Sequence, residues 1–66
     1  MIDVTFNGQD VTTICESVAT FLSEQCVNSR GVAVAVNGHV IPRSEWHHSR
    51  LLNGDVIEVV TAAAGG

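Results

Sequence analysis

The chain has 66 residues, 45% hydrophobic and 15% charged, with a formal net charge of −4. That length holds one domain, near the size at which a single core is only just sufficient, and the composition is that of a globular chain rather than a disordered one. Seven acids set against Arg30, Arg43 and Arg50 argue against a phosphate backbone as ligand and favour a partner with a basic docking surface.

Ile2, Val4 and Phe6 alternate with Asp3 and Thr5, the period of a half-buried strand. Asn7-Gly8 supplies the positive φ angles of a type I′ turn, so Gln9 to Thr13 is expected to return antiparallel with Val11 facing inward. Val18, Phe21, Leu22 and Cys26 form one apolar stripe at helical spacing, with Thr20, Ser23 and Glu24 on the wet side. Ser17 is the natural N-cap, and Asn28 to Gly31 supply a left-handed exit. Val32 to Val36 reads as a strand with valines on one face and alanines on the other. Asn37-Gly38 repeats the hairpin signal into His39-Val40-Ile41, which Pro42 ends by removing a ladder donor. From Pro42 to Arg50 the pattern is irregular, with Ser44 placed to cap a short turn through Glu45 and Trp46, and Leu51 and Leu52 placed to anchor the loop on the core. Asn53-Gly54-Asp55 is a further turn. Val56 to Val60 forms the last strand, with Ile57 and Val59 on one face and Val56, Glu58 and Val60 on the other.

This order gives an α+β chain in which a single helix covers one face of a mixed sheet of four to five strands, with the first and last strands parallel at the middle. That is a β-grasp, ubiquitin-like architecture: residues 1–60 form the domain and residues 61–66 an extended, flexible tail. The tail ends in Gly65-Gly66 behind three alanines, slim enough for a narrow channel, and spans on the order of 20 Å at about 3.3 Å per residue. Its carboxylate is ionised at neutral pH and a poor electrophile, so it must be activated, most simply by ATP. Frayed termini also collect small residues, and the diglycine alone does not separate the two readings.

Lysine is absent, which weakens a reading as a modifier that forms chains through its own amines. Asp3 interrupts the first apolar residues and no long hydrophobic run follows, so no signal peptide, no membrane span and a cytoplasmic location are expected. Cys15 and Cys26 match no zinc or redox spacing and are read as small buried hydrophobes. His39, His47 and His48 lack a convergent third ligand, and no metal is expected. No carboxylate pair, Ser-His-Asp set or phosphate-cradling loop is present, so the chain is not expected to be an enzyme.

The block Asn37-Gly38-His39-Val40-Ile41-Pro42-Arg43-Ser44-Glu45-Trp46 resembles the Asn-x-x-x-(Val/Ile)-Pro-Arg-x-x-Trp element of the ThiS family of sulfur carriers. Leu52-Asn53-Gly54-Asp55, the apolar strand after it and Gly65-Gly66 resemble the same family's C-terminal pattern. The resemblance implies that a ThiF-like adenylyltransferase activates the Gly66 carboxylate with ATP and that a sulfur donor such as a cysteine desulfurase converts it to a thiocarboxylate. Thiazole synthase, ThiG, then accepts the sulfur for the thiazole of thiamine. No cofactor would be bound; ATP is consumed by the activating partner. Ala64 and Gly65 would thread into the partner. A molybdopterin-type carrier and a ubiquitin-like modifier remain alternatives.

Val56, Glu58 and Val60, with Ala33 and Ala35, lie on the sheet face that a single helix leaves uncovered, an apolar docking candidate in which Glu58 orients a basic partner. Trp46 is a core plug or an interface anchor, and Arg43 a ligand for a partner's anion or a solvated cation. Both join the docking candidates.

Overall fold

In a computed structural model, residues 1–27 and 30–61 are described. Five strands and one α-helix follow in the order β1 (Ile2–Phe6), β2 (Gln9–Thr13), α1 (Val18–Glu24), β3 (Val32–Val36), β4 (His39–Ile41) and β5 (Val56–Thr61), with a 3₁₀ turn at Arg43–Glu45. The sheet order is β2-β1-β5-β3-β4. β1 and β5 run parallel at its centre, and the other neighbouring pairs are antiparallel. This is the β-grasp arrangement expected from the element order.

The two hairpin Asn-Gly pairs take the positive φ values that a type I′ turn needs, 48° and 84° at Asn7-Gly8 and 53° and 84° at Asn37-Gly38. A two-residue turn fixes register, so Val4 lies opposite Val11 and Ala35 opposite Val40. The inner face carries Ile2, Val4, Phe6, Val11, Val32, Val34, Val36, Ile41, Ile57 and Val59, packed with Val18, Phe21 and Leu22 of α1. Phe6 and Phe21 meet edge to face with ring centroids 5.3 Å apart, a geometry favoured by the ring quadrupole.

The helix begins as expected at Ser17, whose hydroxyl accepts from the Thr20 N–H, while the Thr20 hydroxyl accepts from the Ser17 N–H. The next two amides find carbonyls of the irregular loop: Val18 N–H donates to Ser49 O (3.0 Å) and Ala19 N–H to Trp46 O (3.1 Å). All four amides that a helix start leaves unpaired are thereby satisfied. The loop is fastened at its far end by the Leu51 N–H to Glu16 O bond.

Several expectations are corrected. The helix stops at Glu24, earlier than its apolar stripe suggested, because Cys26 turns left-handed (φ 59°). Cys26 N–H bonds to Ser23 O and Val27 N–H to Leu22 O, the paired bonds of a Schellman ending, so Cys26 is exposed rather than buried, and Val27 takes the core-facing place. Cys15 is half-buried against the core. Asn28 and Ser29 of the expected exit lie outside the described residues. Ser44 sits inside the 3₁₀ turn, whose N-cap is Pro42, and caps nothing. Leu51 anchors the loop in the core, but Leu52 is 60% exposed because the turn it opens points outward. β5 runs one residue past its expected end, to Thr61 opposite Val32.

Candidate functional site

Strand alternation places Val56, Glu58 and Val60 of β5 on the face opposite α1, across from Ala35 and Ala33 of β3. Nothing among the described residues covers this face. Val60 is 61% exposed and Val56 41%. The alanines sink the surface between the valines, and Ala33, Ala35, Val40, Glu58 and Val60 line one shallow, mostly apolar hollow. Val40, 71% exposed, is the member that the sequence reading missed. The signal was present, since a two-residue turn after Val36 puts Val40 beside Ala35 on the outer face.

The other half of the face is polar. By register, Asp3 and Thr5 of β1 lie beside Thr12 and Asp10 of β2, and the Thr12 hydroxyl donates to Asp3 Oδ1 at 2.7 Å. The strands thus carry Asp3, Asp10 and Glu58 and no arginine. Arg30, Arg43 and Arg50 all lie outside the strands. An apolar hollow bordered by acids complements an apolar surface bordered by cations.

Arg43 and Trp46 are placed elsewhere. Trp46 is 6% exposed, its indole N–H donating to Ile41 O at 2.9 Å, so it is a core plug and not a surface anchor. A buried indole needs such a partner, and here the bond ties the 3₁₀ turn to the end of β4. The Arg43 guanidinium lies 5.8 Å from the Trp46 ring centroid, a cation–π contact. With Ala19, Leu22, Ser23, Val27 and His47 they line a groove on the helix side of the sheet. The five docking candidates therefore divide between opposite sides of the molecule.

β5 leads from the open face to Thr61, where the description stops; Ala64, Gly65 and Gly66 lie outside the described residues. Among the described residues no group of three or more His, Cys, Asp or Glu side chains comes together as a metal site. No described helix is long and apolar enough to cross a membrane.

The ThiS family model matches residues 4–66. The chain belongs to the ThiS family. The matched range includes the Asn37 to Trp46 block and Gly65-Gly66. A crystal structure of the thiamine biosynthesis protein ThiS from Geobacter metallireducens is similar to this chain, with a TM-score of 0.85 and 29% identity, covering 98% of this chain and 100% of that one. No curated protein matches. Within the ThiS family fold, Trp46 and Leu51 hold the irregular loop on the helix, while no described residue covers the opposite face of the sheet.

Proposed function

We propose that this chain is a sulfur carrier protein of thiamine biosynthesis, whose working atom is the carboxylate carbon of Gly66. Membership of the ThiS family along residues 4–66 carries this reading. The shallow apolar hollow beside β5 supports it, because a delivered terminus needs a body that a partner can hold.

The chemistry follows from the inertness of a carboxylate. A ThiF-like adenylyltransferase brings ATP, and a Gly66 carboxylate oxygen attacks the α-phosphorus with loss of pyrophosphate, giving an acyl adenylate with AMP as leaving group. The terminal sulfur of a persulfide, supplied by a cysteine desulfurase or a transfer protein, displaces AMP. Cleavage of the S–S bond by a thiol then leaves the thiocarboxylate. Thiazole synthase, ThiG, takes that sulfur into the thiazole ring. The chain is a cosubstrate in this cycle rather than a catalyst, and the ATP belongs to the activating partner. Val40, Val56 and Val60 supply apolar docking area, Glu58 with Asp3 and Asp10 meets a basic rim, and Ala64 and Gly65 are narrow enough to enter a channel.

Mass spectrometry after incubation with a ThiF-like enzyme, ATP and a sulfur source tests the proposal. A carrier gains the mass difference of one oxygen-to-sulfur exchange at its C-terminus. Appearance of the chain joined through Gly66 to other proteins instead identifies a modifier, and an unchanged mass under these conditions refutes the carrier reading.

A further inference from the structure

We infer that Asn7 is a positioning residue for the delivered C-terminus, with its carboxamide setting where β5 leaves the body; this rests on the carrier reading above. β1 pairs with β5 only at Thr5↔Val56 and Phe6↔Ile57, and β1 ends at Phe6. β5 continues to Thr61, paired on its other flank with β3 as far as Val32. On the β1 flank the chain turns away at Asn7, and Asn7 itself extends the ladder. Its N–H donates to Ile57 O at 2.9 Å, and its Oδ1 accepts from the Val59 N–H at 2.8 Å. The side-chain oxygen thus stands where a longer β1 would place a backbone carbonyl.

The turn does not require this bond. A φ of 48° at Asn7 is also open to glycine, so the turn explains a small, permissive residue and leaves the carboxamide contact over. The second hairpin repeats the device at the start of the same strand: Asn37 N–H donates to Val56 O at 2.8 Å and Asn37 Oδ1 accepts from Val56 N–H at 2.9 Å. Both hairpin turns therefore grip β5 from opposite flanks, and Asn7 takes hold nearer to the tail. A terminus carried past Thr61 inherits any swing of the strand that launches it. Misplacement of a reacting group by about 1 Å can lower a rate by about a hundredfold.

Two substitutions separate the carboxamide from the turn. Asn7→Gly keeps the positive φ and removes the acceptor, whereas Asn7→Asp keeps an oxygen at the same place. The readouts are hydrogen exchange at the Val59 amide and steady-state adenylation by a ThiF-like enzyme. For Asn7→Gly, Val59 exchange is expected to quicken by about fivefold, from the net worth of one hydrogen bond. The kcat of adenylation is expected to fall by about fivefold to tenfold while KM stays within about twofold, because the docking face is untouched. Asn7→Asp is expected to restore both. Val18→Ala, which opens a cavity in the core and removes none of the hydrogen bonds that Asn7 makes to β5, controls for lost stability and is expected to keep the wild-type kcat while folded. Wild-type kcat in Asn7→Gly, or an equal loss in Val18→Ala, overturns the inference and leaves the carrier reading standing. A wild-type chain that is not adenylated overturns the carrier reading, and this role with it.

Discussion

Asp55 shows what a single residue contributes to so small a body. It is buried, with Oδ1 accepting from Asn37 Nδ2 at 3.0 Å and Oδ2 from the Leu52 N–H at 2.8 Å, and its own carbonyl accepts from the Thr5 N–H. One side chain thus ties the turn before β5 to the β3–β4 hairpin. Asp55→Ala is expected to lower stability by about 1–3 kcal/mol by leaving two donors unpaired, read as a lower urea midpoint with unchanged m-value. The Asn53-Gly54-Asp55 turn was legible in the sequence; its grip on Asn37 was not, because the bond joins residues far apart in the chain. Cys26 gives the opposite case. A left-handed residue with a Cβ is strained by about 1–2 kcal/mol, and glycine relieves this while gaining about 0.5–1 kcal/mol of freedom in the unfolded chain. Cys26→Gly is therefore expected to raise the melting temperature by a few degrees, since about 1 kcal/mol moves a domain of this size by about 4–8 °C. The apolar stripe suggested a longer helix because cysteine fits an apolar face as well as an exposed ending, and only the backbone separates the two.

Among the elements, α1 was readable at its start and not at its end. Ser17 announces a cap, but the partners of the Val18 and Ala19 amides are carbonyls of a loop with no periodicity. β5 was legible on both faces, since alternation assigns Ile57 and Val59 inward and Val56, Glu58 and Val60 outward whatever the neighbours are. The outer face makes its own prediction. Val60→Glu places a charge in the apolar hollow without touching the core, so stability is expected to change by about 0.5 kcal/mol or less. The KM for the activating enzyme is expected to rise by about tenfold, as the loss of roughly 1.4 kcal/mol of binding implies. An unchanged KM would show that the partner docks elsewhere, for instance in the groove beside Arg43.

For the molecule as a whole, the division of labour between body and tail sets the expectation. Among the described residues, Trp46, Leu51 and Ile57 are fully part of the buried core. Deleting Gly66 is expected to leave the melting temperature unchanged and to abolish thiocarboxylate formation, measured by intact mass. Thiocarboxylate at wild-type yield in that variant would remove the diglycine from the mechanism.

The sequence by itself determined the strands, the type I′ turns, the helix start and the uncovered face, because each follows from the spacing of residues within a few positions of one another. It also placed the chain's resemblance, since Pro42-Arg43 and Trp46 are a local pattern. Only the tertiary structure decided that Trp46 is a plug, that the irregular loop caps the helix, and that two asparagine side chains take hold of β5. Those facts depend on which distant groups meet, and a hydrogen bond between residues fifty positions apart leaves no periodic trace in the chain.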